Sequence, residues 1–172
     1  MAQACLRDRF LRRYVARSVS LTTRPKRRGE QEGEAYFFVS EAEFRCRLRA
    51  KKILEWTRYL GYYYGTPKDF VERMLAAGRS LVFCLDDRGA VQMKRFFSCD
   101  CVRLFVMPPS IAQLRKRIRA RSTMAPAELK KRLAIAVVEM GRSSRFEYTL
   151  VNDVLSIAKR RMKVIVRREL GV

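Results

Sequence analysis

The chain of 172 residues contains no histidine, which excludes an imidazole general base and imidazole metal ligands. Long apolar runs are also lacking. The run around Leu81 to Leu85 has the length of a strand and is far too short to span a bilayer. No apolar segment typical of a secretory signal follows Met1. From these absences we expect a cytoplasmic protein that does not enter a membrane.

A disulfide framework is not indicated either. The five cysteines are an odd number with scattered spacing. Cys99 and Cys101 are separated by one residue, whereas a zinc knuckle has two to four residues between its ligands. We therefore expect buried, reduced thiols and no metal site built from protein ligands.

Acidic residues are few compared with basic ones. The sequence has 38 Lys and Arg against 17 Asp and Glu, a formal net charge of +21. This excess predicts anionic partners such as nucleic acid, nucleotides or an acidic membrane, and charge alone does not choose among them. The hydrophobic share of 48% is that of a folded globular chain, and the length fits one domain.

The distribution of apolar residues predicts an α/β fold. Three continuous apolar runs have strand length: SLVFCLD, CVRLFVM and EYTLV. Such runs, separated by helices, are typical of a parallel sheet that is covered on both faces. Helices are predicted for AQACLRDRFLRRY, from Thr66-Pro67 to Gly78, for IAQLRKRIRAR after a capping box of Ser110 and Gln113, from Pro126 to Met140, and after Asn152-Asp153.

A small region between about residues 25 and 65 interrupts this pattern. Its sequence predicts a strand at AYFFV, a short helix after Ser40, and further strands around ILEW and RYLGYYYG. We interpret it as an insertion in the α/β core.

The segment SVSLTTRPKRRGE, residues 18–30, concentrates four hydroxyl groups and four cations. Phosphate recognition needs arginines, hydroxyl donors and backbone N–H groups that converge on a few oxygens. A solvated basic loop is the alternative interpretation of the same residues.

Acidic residues downstream favour a binding site. Glu55 lies in ILEW, and Asp86 ends an apolar strand, where side chains of an α/β sheet commonly face a ligand. Guanine presents two N–H donors beside an acceptor oxygen, so two carboxylates and the hydroxyl of Thr66 would fit it.

These motifs occur in an order that resembles the guanylate kinases from about Ala4 onward. The matching segments are SVSLTTRPKRRGE, GEAYFFVSEAEF, ILEW, GYYYGTP, LDDRGA, MPPSIAQLRKRIRAR, KKRL and YTLVND. The resemblance implies a nucleoside monophosphate kinase fold: a core parallel sheet flanked by helices, a GMP-binding subdomain at about residues 25–65, and an arginine-rich helical lid at about residues 115–132.

The resemblance also implies roles for particular residues. The GMP phosphate would be held by Ser20, Arg24, Arg27, Tyr36 and Tyr64. The guanine would be read by Glu55, Thr66 and Asp86. The donor phosphates would be approached by the lid arginines Arg117, Arg121 and Arg132, and the adenine by Asn152. The implied reaction transfers a phosphoryl group from ATP to GMP with Mg²⁺.

One motif of the family is not in the sequence. A P-loop reads G-x-x-x-x-G-K-[ST], and none of the eight glycines is followed by lysine. In the family this loop directly precedes the helix that here begins near Met1. Either the chain is truncated or it is a relative that never had the loop; the intact acceptor-site residues favour truncation. We expect the 172 residues alone to be inactive. Two alternatives stay open: a non-catalytic guanylate-kinase-like binding module, and a basic protein that binds nucleic acid.

Overall fold

The computed structural model describes residues 2–121 and 125–172, without the side chains of Ala2 and Arg121. The described chain divides into two compact units, residues 2–101 and residues 102–172. The first unit contains the elements α1 (Ala2–Leu6), β1 (Val15–Arg17), β2 (Ser20–Thr22), β3 (Tyr36–Phe38), α2 (Glu41–Arg49), β4 (Ile53–Tyr59), β5 (Tyr62–Pro67), α3 (Lys68–Ala76), β6 (Ser80–Val82) and α4 (Asp87–Phe97). The second contains β7 (Leu104–Met107), α5 (Ile111–Arg121), α6 (Pro126–Met140), β8 (Tyr148–Val151) and α7 (Leu155–Leu170).

A four-stranded sheet in the first unit has the order β3-β2-β5-β4. The β2–β3 pair is parallel, and the β2–β5 and β4–β5 pairs are antiparallel. Its core is formed by Leu21, Phe44 and Ile53, which α2 covers through Phe44. Gly65 makes this packing possible, because a Cβ there would lie 2.9 Å from Ile53 Cγ2 and 3.0 Å from Phe44 Cζ.

Each unit also contains a parallel ladder of two strands. In the first, Val15–Arg17 pairs with Ser80–Val82. In the second, Leu104–Met107 pairs with Tyr148–Val151, and α7 packs on β8. The prediction of an α/β fold with parallel strands and flanking helices is confirmed.

The strand in SLVFCLD is shorter than predicted. Ser18 N–H bonds to the carbonyl of Val82 just past the end of the ladder. Beyond Val82 the chain leaves the strand and Asp86 caps α4, its Oδ1 accepting the N–H of Gly89 at 2.8 Å. The strand thus ends at Val82, and the capping carboxylate starts a helix at Asp87, directly after the apolar run.

The expectation of one continuous helix in AQACLRDRFLRRY is wrong. The structure has α1 and then a separate 3₁₀ turn at Leu11–Arg13. Asp8 Oδ1 accepts the backbone N–H groups of Phe10 at 3.1 Å and Leu11 at 3.2 Å. A side chain that binds nearby N–H groups in this way competes with the helical hydrogen bonds, so the helix stops.

The expectation about the cysteines is only half right. None of the five is in a disulfide, as predicted, but Cys46, Cys84 and Cys99 are exposed, and Cys5 is the buried one. The spacing of the cysteines argues against disulfides, but it does not predict whether each thiol is buried or exposed. No helix in residues 2–121 or 125–172 combines the length and apolar character needed to cross a bilayer.

Candidate functional site

Glu55 and Thr66 meet across the β4–β5 hairpin of the first unit. Thr66 Oγ1 donates to Glu55 Oε1 at 2.5 Å, and both residues are buried, with 3% of Glu55 exposed. The β4–β5 ladder pairs Trp56 with Gly65 and is irregular between Ile53 and Trp56. The regular register of Trp56–Tyr59, continued by one residue, sets Glu55 opposite Thr66, so the carboxylate and the hydroxyl lie on the same face of the hairpin.

Asp86, at the N-terminus of α4, lies near the carboxylate of Glu55. Burial raises the pKa of Glu55 to about 7, the hydrogen bond from Thr66 opposes this rise, and the charge of Asp86 adds to it. Burying one carboxylate beside a second costs free energy, and core packing does not require it. The pair is therefore suited to accept hydrogen bonds from a ligand with adjacent N–H donors.

Gly89 in the first turn of α4 separates the two acids. A Cβ at this position would lie 2.7 Å from Glu55 Oε2 and 3.2 Å from Asp86 Oδ1. Both oxygens thus border one point and are at most about 6 Å apart, within the range at which the charge of Asp86 raises the pKa of Glu55. The sequence pattern singles out the acids and gives no reason to include this glycine.

Arg24, in the loop after β2, is held by the protein itself. Its Nη2 lies 2.7 Å and 3.0 Å from the two carboxylate oxygens of Glu30, and its Nη1 donates to the Pro25 carbonyl at 2.6 Å. Burial alone would lower the pKa of the Arg24 guanidinium. The hydrogen bond and the charge of Glu30 raise it by more, so the pKa lies above its ordinary value. The hydrogen bond from Arg24 in turn lowers the pKa of Glu30.

Aromatic rings surround this guanidinium. Arg24 Cζ lies 5.5 Å from the centroid of the Tyr36 ring and 5.7 Å from that of Phe38. The rings of Tyr36 and Tyr64 meet edge to face at 6.0 Å. Burial, together with the neighbouring Tyr64, raises the pKa of Tyr36, so the Tyr36 phenol stays protonated and able to donate. The result is one cation and two phenol donors in a small space.

The threonines of SVSLTTRPKRRGE have a structural role. Thr22 Oγ1 donates to the Tyr63 carbonyl at 3.1 Å and accepts Arg24 N–H at 3.2 Å. Thr23 Oγ1 accepts Tyr63 N–H at 2.9 Å. These bonds fix β2 to β5 and set the start of the loop that carries Arg24. Arg27 is exposed in that loop, and its N–H donates to Glu30 Oε2 at 2.8 Å.

In the second unit, Arg117 of α5 reaches the junction between β8 and α7. Its Nη1 donates to the Asn152 carbonyl at 2.6 Å and its Nη2 to the Asp153 carbonyl at 3.1 Å. Asn152 N–H donates to the Met107 carbonyl at 2.8 Å. In this structure Arg117 therefore fastens the turn that presents Asn152.

Of the other two lid arginines, the structure describes the side chain of Arg132 but not that of Arg121. Arg132 in α6 pairs with Glu128 one turn earlier at 3.1 Å, and its Nε is buried without a partner. Arg121 is the last residue of α5, and its side chain lies outside the described residues, as does the part of the predicted lid at 122–124.

Comparison with known proteins decides the family. The family model described as guanylate kinase matches residues 1–169. The chain belongs to the guanylate kinase family. It is 41% identical over 152 residues to the guanylate kinase of Symbiobacterium thermophilum, a match that covers 88% of this chain and 72% of the relative. It is 43% identical over 153 residues to that of Gloeobacter violaceus, covering 89% and 73%.

A solved guanylate kinase has the same fold. The crystal structure of the guanylate kinase from Anaplasma phagocytophilum matches with a TM-score of 0.77 and 31% identity, covering 90% of this chain and 76% of that one. The family resemblance read from the motifs is thereby confirmed.

All eight residues that the sequence predicts for GMP lie in the first unit. Glu55, Thr66 and Asp86 form one group, and Arg24, Tyr36 and Tyr64 form another. Ser20 begins β2, where its N–H donates to the Ala35 carbonyl. Sequence reasoning missed Glu30 as the partner of Arg24; the spacing of opposite charges in RPKRRGE could have suggested it.

Proposed function

We propose that this chain binds GMP as the acceptor in phosphoryl transfer from ATP, which yields ADP and GDP. The observation that carries the proposal is the buried pair of Glu55 and Asp86 with the Thr66 hydroxyl. Guanine offers N1–H and N2–H donors side by side, and carboxylates accept from such donors more strongly than neutral groups do. Adenine has no such pair of donors on that edge.

The second group of residues, Arg24, Tyr36 and Tyr64, is suited to bind the phosphate of GMP. Arg24 supplies a fixed positive charge, and Tyr36 and Tyr64 supply hydroxyl donors. Ser20 and Arg27 complete the set that the family motif names. Because the acceptor is a phosphate that is already an anion at neutral pH, no side chain has to remove a proton from it. The lack of histidine is thus compatible with this chemistry.

On the donor side, the family suggests Arg117, Arg121 and Arg132 for the phosphates of ATP and Asn152 for its adenine. Arginines near a transferring phosphoryl group neutralise the charge that develops on it. Mg²⁺ accompanies ATP in such reactions and shields phosphate charge. The described residues contain no group of three or more Cys, Asp or Glu that could hold a metal, so we assign no protein ligand to Mg²⁺.

Binding is the direct test, because the sequence contains no G-x-x-x-x-G-K-[ST] and we expect no GDP formation by these 172 residues alone. Titration calorimetry with GMP, IMP and AMP should give the tightest binding for GMP. IMP lacks the N2 amine and should bind roughly tenfold more weakly or worse, the effect of losing a hydrogen bond to a charged acceptor. Glu55→Gln should remove the preference, and Glu72→Gln, an exposed acid on α3, should keep it.

Equal affinities for GMP and IMP in the unmodified chain would contradict the proposal. Binding that ignores the base and falls steeply with salt would instead favour a basic nucleic-acid-binding protein. Failure to bind any nucleotide by a folded chain would favour a non-catalytic module.

A further inference from the structure

Gly89 is a glycine where the backbone does not need one. Five other glycines among the described residues have positive φ, a conformation that disfavours other residues, and Gly89 is not one of them. It lies in the regular first turn of α4, after the cap Asp86. Alanine in such a helical position is more favourable than glycine, because it restricts the unfolded backbone more. The stability of α4 alone would therefore favour alanine over glycine at position 89.

The space around Gly89 explains its presence. An added Cβ would lie 2.7 Å from Glu55 Oε2 and 3.4 Å from Glu55 Cδ. The first distance is far inside van der Waals contact, so either the carboxylate or the helix would have to move. The carboxylate thus rests directly against the backbone of α4.

Glu55 has little freedom to withdraw. Its other oxygen, Oε1, accepts the hydrogen bond from Thr66 at 2.5 Å, and only 3% of the residue is exposed. The helix is held as well, because Gln92 Nε2 of α4 donates to the Trp56 carbonyl of β4 at 3.2 Å. A methyl group at position 89 would press on two anchored elements.

We propose that Gly89 is a positioning residue for base selection, which lets α4 approach Glu55 so closely that the carboxylates of Glu55 and Asp86 can serve one purine edge. The inference rests on the proposed function and deepens it. Gly89 N–H donates to Asp86 Oδ1 at 2.8 Å, and a Cβ on the same residue would lie 2.7 Å from Glu55 Oε2, so Gly89 borders both acceptors. The ligand that this spacing selects is a purine with two adjacent N–H donors.

The experiment measures GMP and IMP affinities for four proteins by titration calorimetry: the unmodified chain, Gly89→Ala, Glu55→Asp, and the double variant. Gly89→Ala should reduce the GMP-to-IMP affinity ratio at least fivefold. Glu55→Asp shortens the acid by one methylene and makes room for the methyl group. In the double variant, Gly89→Ala should therefore cost little beyond Glu55→Asp alone, a non-additivity that identifies the contact itself.

Gly141→Ala is the matched control, since a Cβ there would meet no atom closer than 3.5 Å and the ratio should stay unchanged. If Gly89→Ala does not fold while the double variant does, the steric contact is supported. An unchanged ratio in folded Gly89→Ala, or independent losses in the double variant, would overturn the inference and leave the proposed function standing. Absence of any GMP preference in the unmodified chain would instead remove the proposed function, and the inference with it.

Discussion

Nη2 of Arg24 contacts both carboxylate oxygens of Glu30, at 2.7 Å and 3.0 Å, with 9% of the arginine side chain and 27% of the glutamate side chain exposed. The guanidinium is therefore oriented before any ligand arrives. A charge held in place loses little conformational entropy on binding, which favours affinity for a phosphate.

Arg24→Lys should weaken GMP binding by about tenfold, because lysine keeps the charge but not the planar group that Glu30 and Pro25 hold. Affinity for guanosine, which has no phosphate, should stay the same. Arg28→Lys, an exposed cation in the same loop, is the control. Titration calorimetry with both ligands checks this, and a parallel loss for guanosine would point to general damage to the site.

GMP binding should weaken as the pH falls below about 7. Burial raises the pKa of Glu55 to about 7, so below that pH the acid is protonated and no longer accepts from guanine N–H groups. The loss approaches tenfold per pH unit. A phosphate monoester loses its second proton near pH 6, so the measurement needs a baseline.

Glu55→Gln supplies this baseline, because it retains the titration of the phosphate. The dissociation constants of both proteins are compared between pH 5.5 and 8.5. Identical pH profiles would show that Glu55 does not titrate in this range.

The same carboxylate should reduce the stability of the fold at neutral and alkaline pH. The pKa of Glu55 is about 7 in the folded chain against an ordinary 4.5, so the folded state binds more protons between these values. Unfolding free energy from this group therefore falls as the pH rises from about 4.5 to 7 and is constant above, a total of about 3 kcal/mol.

Glu55→Gln removes this contribution. Its stability relative to the unmodified chain should increase between pH 4.5 and pH 8, as measured by urea denaturation. A difference that does not change with pH would contradict the assignment of the raised pKa to Glu55.

Gly65→Ala should destabilise the first unit by about 1 to 3 kcal/mol, the usual cost of forcing extra atoms into a packed core. Its Cβ would lie within 3.0 Å of both Ile53 and Phe44, and the Glu55 carbonyl lies 3.1 Å away. Urea denaturation measures the loss against Gly141→Ala. Unchanged stability would mean that α2 can move away from the sheet at little cost.

Much of the second unit could be predicted from the sequence because its signals are local. Pro126 starts α6 at the predicted residue, and Ser110 Oγ accepts the N–H of Gln113 at 3.2 Å as the capping pattern requires. The apolar run before Pro108 becomes a parallel strand as expected. Such features depend on neighbours along the chain.

What could not be predicted depends on contacts between distant residues. Glu55 and Thr66 are identifiable as residue types that suit guanine, but their 2.5 Å contact follows from the register in which β4 pairs with β5. The closeness of Gly89 to Glu55 requires the docking of α4 on β4, which no local pattern encodes. Asp8 misled the prediction in the opposite way, because its local bonds outweighed a regular helical pattern.

The central place of β5 in the four-stranded sheet has a consequence for how the chain folds. Its partner β4 is connected through the turn at Leu60-Gly61, whereas β2 must return over about 40 residues, since Leu21 pairs with Gly65. Closing so long a loop costs more conformational entropy than forming a hairpin, so the β2–β5 pairing is slower. The β4–β5 hairpin should thus form early and serve as the template on which β2, the strand that leads into the Arg24 loop, pairs later.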